Sequence, residues 1–157
     1  MPLRLRPLRE DELPAFIEHT RVAYERELAT QAGLSTEQAA AKTATDWGRL
    51  FPDGRVAEGH ELFAIEDESG ERVGDLWLAE REDDGGERVL FVYSIEIAEE
   101  HRGRGLGRKA MLLFEDEARS RGIGGAALTV LAGNEVARSL YRSLGYAERS
   151  VFMSKDL

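Results

Sequence analysis

The sequence predicts an α/β fold with a mixed β-sheet in a single domain. Its 157 residues match the length of one compact domain, so we expect one domain over residues 1–157. Periodicity and turn residues give the order β-α-α-β-β-β-α-β-α-β-β, in which the last segment supplies one or two strands. An amphipathic helix separates the strand-like segments at residues 89–97 and 126–131, which is typical of a crossover between parallel strands.

The first third of the chain is predicted to be mostly helical. Alternating apolar and basic residues at 3–7 indicate a short first strand. Asp11 has the character of an N-cap for a helix that continues to about residue 28. Ser35 and Gln38 form a capping-box pattern that opens a second helix to about residue 50.

Strands dominate the middle of the chain. Residues 61–66, 72–79 and 89–97 alternate or are continuously apolar, and Gly-rich or Asp-rich turns separate them. This spacing predicts an antiparallel meander of three strands. A helix over residues 108–121 follows a glycine-rich loop, and its apolar side chains form one stripe along the helix.

The last third is predicted to complete the sheet. Residues 126–131 indicate a short buried strand, and Asn134 has the character of an N-cap for a helix that Gly145 ends. The remaining segment, residues 146–155, is then expected to supply one or two closing strands.

Composition restricts the function. The chain contains no cysteine, which excludes disulfides, thiolate metal sites and a covalent thiol intermediate. Its net charge of −9 argues against general nucleic-acid binding. The three histidines lack ligand spacing, so we expect no metal site. The chain has no apolar run of about 20 residues and no signal-peptide pattern at its start, so we expect no membrane span and a cytoplasmic location.

The most informative segment is the loop at residues 102–107, with the sequence RGRGLG. Glycines allow the backbone to approach an anion closely, and the following helix offers unpaired N–H groups at the positive end of its dipole. The arginines add positive charge. The loop is therefore predicted to bind phosphate groups such as a pyrophosphate.

Other interpretations of this loop fit less well. Residues 105–110 match the dinucleotide pattern G-x-G-x-x-A. However, five residues separate the strand from the loop, two helices and three strands precede it, and no acidic residue ends the next strand. A P-loop is disfavoured because the Lys-Ser/Thr pair is missing. An ordinary strand-to-helix turn leaves the two arginines without a role.

Two segments resemble one known family. The RGRGLG loop is similar to the Q/R-x-x-G-x-G/A signature of the GNAT N-acetyltransferases. Residues 134–146, NEVARSLYRSLGY, are similar to that family's N-x-x-A-x-x-L-Y-x-x-x-G-F/Y segment. The resemblance is strong over about residues 89–146 and implies the GNAT fold. Residues 1–60 carry little family signal.

The resemblance implies acetyl-CoA as the donor and a primary amine as the acceptor. It implies that the strand ending at residue 97 diverges from the next parallel strand, often through a β-bulge, and that pantetheine occupies the gap. One freed N–H would then stabilise the oxyanion of the tetrahedral intermediate. The residues that the resemblance assigns to binding the coenzyme are Ile95, Ile97, Arg102, Gly103, Arg104, Gly105, Leu106, Gly107, Arg108, Asn134 and Tyr141.

Two residues are candidates for catalysis. Glu96 lies on the strand beside the implied thioester position and would accept the proton of the ammonium, directly or through a water molecule. The alternative is a glutamate that faces solvent, opposite Ile95 and Ile97. Tyr141 occupies the family's Leu-Tyr position and would donate a proton to the departing thiolate, whereas periodicity alone makes it a core tyrosine.

The sequence thus predicts an N-acetyltransferase that transfers acetyl directly from acetyl-CoA to an amine of a small molecule or a protein. A non-catalytic acyl-CoA-binding module is the main alternative, and a nicotinamide oxidoreductase is the weaker one. The identity of the acceptor stays open. Homodimers are common in the family, but the sequence leaves the oligomeric state open.

Overall fold

The computed structural model describes residues 2–157 and contains five strands and four α-helices within that range. The elements in chain order are β1 (Arg4–Pro7), α1 (Leu13–Gln31), α2 (Thr36–Leu50), β2 (His60–Glu66), β3 (Arg72–Glu82), β4 (Arg88–Ile97), α3 (Leu106–Ser120), β5 (Gly125–Leu128) and α4 (Glu135–Ser143).

The five strands form one mixed sheet in the order β1-β2-β3-β4-β5. Neighbouring strands are antiparallel except for β4 and β5, which are parallel and are connected through α3. The predicted fold class, the meander and the crossover are therefore confirmed. The crossover matters most for function, because it places the glycine-rich loop at the end of β4.

The sheet separates two apolar clusters. On one face, α3 packs against the centre of the sheet, and Phe114 and Met111 of this helix are fully buried. On the other face, α1 and α2 cover an aromatic cluster that contains Trp47 and Trp77. This arrangement follows from the alternation of β3, which directs Leu76 and Leu78 to the α3 face and Trp77 to the α1 face.

The start of α1 differs from the prediction. Asp11 does not cap the helix, because residues 10–12 form a short 3₁₀ turn and Glu12 occupies the N-cap position. The Arg9 backbone N–H donates to the Glu12 carboxylate at 2.8 Å, which stabilises the turn. The second capping prediction is confirmed: the Gln38 N–H donates to Ser35 Oγ at 3.1 Å, and the Ser35 N–H donates to Gln38 Oε1 at 2.9 Å.

The predicted closing strands are wrong for the described part of the chain. Residues 144–157 contain no strand, and Val151, Phe152 and Met153 are exposed. Three consecutive apolar residues do not alternate, so neither face of a strand is favoured and the register on a sheet edge is not specified. β5 also ends earlier than predicted, at Leu128.

An ion-pair network joins the edge strand β1 to the start of α1. The Arg6 guanidinium donates two hydrogen bonds to Glu12, at 3.0 and 2.9 Å, and also pairs with Glu66 of β2. The Glu12 side chain is only 13% exposed. Hydrogen bonding from Arg6 lowers the pKa of Glu12 from its usual 4.5 to about 2.

We expect Glu12→Gln to lower the free energy of unfolding by about 2 kcal/mol at pH 7. Because the folded-state pKa is depressed, the stabilisation is present above pH 4.5 and is lost as the pH falls towards 2. Urea unfolding at pH 7 and at pH 3 measures both effects. Glu10→Gln is the matched control, since this exposed neighbour should change stability by less than about 0.5 kcal/mol. Equal loss of stability on acidification in wild type and Glu12→Gln would contradict the assignment.

Candidate active site

Strands β4 and β5 diverge near the glycine-rich loop. Their pairing extends only from Val89 opposite Gly125 to Val92 opposite Leu128. Beyond this point, residues 94–97 of β4 remain paired with β3. The register shifts at Tyr93, because Leu78 lies opposite Val92 and Trp77 lies opposite Ser94. This bulge increases the local twist, and because β5 ends at Leu128, the β5 side of residues 93–97 has no strand partner within residues 2–157.

A cavity of about 380 Å³ opens where the two strands diverge. It lies between the end of β4, the first turns of α3, and α4. Its lining combines aliphatic side chains with a few polar groups: Ile95, Glu96, Ile97, Arg102, Gly107, Met111, Asn134, Val136, Ala137, Leu140 and Tyr141. An apolar slot with convergent polar groups is typical of a small-molecule site.

The structure brings most of the predicted site residues to this cavity. Ile95, Glu96, Ile97, Arg102, Gly107, Asn134 and Tyr141 line it directly. Gly103, Arg104, Gly105 and Arg108 lie on the exposed loop and first helical turn beside it. The Leu106 side chain is buried in the core at 3% exposure, so only its backbone can contribute to binding.

The loop itself presents unpaired backbone donors. Gly103 and Gly105 have φ angles of +76° and +74°, and the space that a Cβ would occupy at either position is open. Gly105 is the N-cap of α3 and provides no side chain to cap the helix. Within residues 2–157, the N–H groups of residues 103–108 make no hydrogen bond. These donors and the helix dipole suit the loop to bind an anion.

The three arginines of this region have different neighbours. Arg102 is held against the strand, since its Nε donates to the Ile97 carbonyl at 2.9 Å and Nη2 donates to Glu96 at 3.0 Å. Arg104 donates weakly to the Glu100 carbonyl at 3.4 Å. Arg108 donates to Ser143 Oγ at 2.9 Å and so connects α3 to α4. Arg104 and Arg108 are therefore better placed than Arg102 to turn towards a bound phosphate.

Glu96 lies on the sheet face opposite Ile95 and Ile97, as the solvent-facing alternative expected. Its side chain is nevertheless only 35% exposed and has two partners. His19 Nε2 of α1 lies 2.8 Å from Glu96 Oε2, and Arg102 donates to Oε1. The α1 helix thus covers this face of β4, and the carboxylate has a fixed position at the border of the cavity.

A second, smaller cavity of about 160 Å³ adjoins the first at Glu96. It lies on the α1 side of the sheet, and its lining is largely charged: His19, Arg72, Gly74, Asp75, Glu96 and Ala98. Burial raises the pKa of Asp75, and the nearby Glu96 raises it further, whereas its ion pair with Arg72 opposes the shift. Glu96 is the residue common to both cavities.

Sequence reasoning missed His19 and Asp75. His19 is 77 residues from Glu96 along the chain, and nothing in its surroundings distinguishes it from a surface histidine. The signal for Asp75 is a carboxylate within the otherwise apolar run of residues 73–79, VGDLWLA. His19 reaches the site through the packing of α1 on the sheet, and Asp75 reaches it through the pairing of β3 with β4, where it lies opposite Glu96.

Helix α4 forms the remaining wall of the first cavity. Asn134 Oδ1 accepts a hydrogen bond from the Ala137 N–H at 3.2 Å, which confirms its role as an N-cap. Tyr141 is half-buried, and burial together with the nearby Glu27 raises its pKa. The phenol therefore stays protonated at neutral pH and can donate a hydrogen bond.

Within residues 2–157, no group of three or more His, Asp or Glu side chains is arranged to hold a metal ion. In the same range, none of the helices has both the length and the apolar character needed to cross a bilayer.

Known acetyltransferases resemble this chain in sequence and in structure. A family model described as "Acetyltransferase (GNAT) family" matches residues 13–146. The chain is 31% identical over 157 residues to the uncharacterised N-acetyltransferase YdgE of Bacillus subtilis, a match that covers 100% of this chain and 99% of that protein. It is 29% identical to the N-acetyltransferase YycN of the same organism over the full length of both. The crystal structure of YycN gives a TM-score of 0.88 and covers 99% of this chain and 98% of that chain.

Proposed function

This chain belongs to the GNAT family of acetyltransferases, and from that premise we propose that it transfers acetyl directly from acetyl-CoA to a primary amine. The chain is an acetyl-CoA-dependent acyltransferase, because the family model and full-length N-acetyltransferase relatives match it. The observation that carries the proposal of direct transfer is the continuity of the unpaired loop amides with the cavity between β4 and β5. A cytoplasmic location, where acetyl-CoA is available, is part of the proposal.

The loop is proposed to bind the pyrophosphate of acetyl-CoA. The N–H groups of residues 103–108 would donate to its oxygens, since they have no other partner among residues 2–157. Arg104 and Arg108 would contribute charge-assisted hydrogen bonds. Arg102, which is bonded to the Ile97 carbonyl, would fix the end of β4 beside the coenzyme.

Pantetheine is proposed to occupy the gap between β4 and β5. The backbone of Ile95 and Ile97 would pair with its amides as a further strand would. An amide N–H at this position would also polarise the thioester carbonyl and stabilise the oxyanion. Asn134 would contact the pantetheine arm from the start of α4.

Two proton transfers complete the proposed reaction. A primary ammonium has a pKa near 10, so about one part in a thousand is free amine at pH 7 and a proton must be removed before attack. Glu96 is proposed to take part in this removal, since it borders both cavities. After C–N bond formation and C–S bond cleavage, Tyr141 would protonate the CoA thiolate.

The non-catalytic alternative is less well supported. A binding module needs the phosphate loop but has no use for a carboxylate and a protonated phenol on the lining of the same cavity. The full-length relatives are also named N-acetyltransferases.

Coenzyme binding is testable by thermal denaturation. Acetyl-CoA at 100 times its dissociation constant should add about 2.7 kcal/mol to the free energy of unfolding and raise Tm, while NAD⁺ should not. The double variant Arg104→Ala/Arg108→Ala should lose most of this shift. Arg119→Ala is the matched control, because Arg119 is exposed near the far end of α3 and forms ion pairs with Glu115 and Asp116. An unchanged Tm at millimolar acetyl-CoA would overturn the proposal.

A further inference from the structure

His19 and Glu96 form a carboxylate–imidazole pair in the smaller cavity, and Glu96 also lines the larger one. His19 Nε2 lies 2.8 Å from Glu96 Oε2, and both side chains line the smaller cavity. We infer that His19 accepts the proton of the acceptor ammonium, that Glu96 is a positioning residue that orients the imidazole, and that the acceptor enters through the smaller cavity. This inference rests on the proposed function.

The hydrogen bonds of Glu96 determine this division of roles. Each carboxylate oxygen already has a partner, Oε2 with His19 and Oε1 with the Arg102 guanidinium. An ionised carboxylate only accepts hydrogen bonds, so His19 Nε2 carries the hydrogen and Nδ1 carries the lone pair. Nδ1 makes no hydrogen bond to any residue in the range 2–157. The imidazole therefore offers a basic nitrogen with no partner among residues 2–157, whereas each carboxylate oxygen already accepts one hydrogen bond and has only its second lone pair free.

Two carboxylates, together with the guanidinium groups that pair with them, lie around His19. Glu96 of β4 and Asp75 of β3 both face the histidine from the sheet. Arg72 of β3 and Arg102 of the loop pair with these two carboxylates and fix their positions. His19 is 59% exposed, so the accepted proton can pass to water before the next turnover.

The proposed step balances in atoms and charge. The ammonium R–NH₃⁺ gives one proton to His19 Nδ1, and the free amine attacks the thioester carbonyl carbon. The C–N bond forms, the tetrahedral intermediate collapses and the C–S bond breaks. The nitrogen of the new amide loses a second proton. Tyr141 protonates the thiolate, and the second proton from the nitrogen then restores the phenol of Tyr141. The sum is an amide, CoA thiol and one proton that leaves through His19.

The decisive variant is His19→Gln, which keeps the size and a hydrogen-bond donor but cannot take up a proton. The assay measures free thiol release from acetyl-CoA with spermidine, 2-phenylethylamine, L-leucinamide and a tetrapeptide amide. For each amine that wild type acetylates, we expect kcat to fall about 100-fold in the variant. With saturating acetyl-CoA, the Tm of His19→Gln should equal that of wild type. Glu18→Gln, at the preceding exposed position of α1, should retain wild-type kcat.

The pH profile separates a chemical role from a structural one. A proton acceptor must be unprotonated, so wild-type kcat should fall as the pH is lowered. His19→Gln should lack this limb, and added imidazole should restore turnover to His19→Ala. Nitrogen-15 NMR of the free enzyme should show the Nε2-protonated tautomer of His19, with this preference lost in Glu96→Leu.

The outcomes distinguish the role of His19 as proton acceptor from the proposed acetyltransferase function. If wild type acetylates an amine and His19→Gln does so with the same kcat, the role of His19 is overturned and the acetyltransferase proposal stays intact. An Nδ1-protonated His19 in wild type would also overturn the inference. If wild type binds acetyl-CoA but acetylates none of the amines, the proposed function falls and the role of His19 falls with it.

Discussion

Gly74→Ala is expected to destabilise the protein by about 3 kcal/mol and to abolish acetyl transfer. Gly74 of β3 lies opposite Ile97 of β4, where the sheet approaches the divergence of β4 and β5. A Cβ at this position would overlap the backbone oxygen of Glu96 and lie 3.1 Å from Ile97 Cδ1. The obstacle is largely backbone, which cannot move aside as a flexible side chain can. The end of β4 must therefore shift, and it carries Glu96 with it.

Urea unfolding and thiol release measure the two effects separately. The matched control is Gly48→Ala on α2, where a Cβ would have nothing within 4 Å. There the substitution should stabilise the helix by up to about 1 kcal/mol, because alanine favours helix more than glycine does. If Gly74→Ala retains wild-type stability and activity, the register of β3 with β4 at this point is incorrect.

Tyr141→Phe is expected to lower kcat about 100-fold with little change in the affinity for acetyl-CoA. The substitution removes only the hydroxyl and keeps the ring that packs in the cavity wall. Because burial and Glu27 raise the pKa of Tyr141, the phenol stays protonated over the neutral range and can donate to a thiolate. Single-turnover measurement of thiol release reports this step directly.

Tyr146→Phe provides the matched control for the phenol. The two rings lie 6.0 Å apart, and both pack against the α3 core. The Tyr146 hydroxyl is buried near the Glu115 carboxylate, and Tyr146 is not among the residues that line the cavity, so its removal should leave kcat unchanged. An equal loss of kcat in the two variants would indicate a packing effect rather than proton donation by Tyr141.

Local patterns predicted most of the fold. The Ser35–Gln38 capping box and the apolar stripe of α3 are signals within one or two helical turns, and the structure confirms both elements. The prediction for the start of α1 failed because a contact with β1 overrode the local pattern. Asp11 is the better N-cap residue by local preference, but the pairing of Glu12 with Arg6 of β1 fixes the 3₁₀ turn at residues 10–12, and the helix begins after it.

The residues of the candidate site also fall into those that a local pattern predicted and those that it did not. The RGRGLG loop and Tyr141 were identifiable because each belongs to a motif in a continuous segment. His19 was not identifiable, since its contact with Glu96 depends on how α1 crosses the sheet. The apolar residues of the 146–155 segment suggested strands, but strand formation requires a partner edge in register, which the sequence of that segment does not encode.

The sequence by itself determined the element order as far as α4, the crossover and the position of the glycine-rich loop, because periodicity, caps and glycines act over a few neighbouring residues. The tertiary structure alone decided where β4 leaves β5, which cavity opens there, and that His19 meets Glu96 between two cavities. These features depend on the register of strands and the placement of helices that are distant in the chain. Their energies come from packing and from backbone pairing across the sheet, so no short segment specifies them.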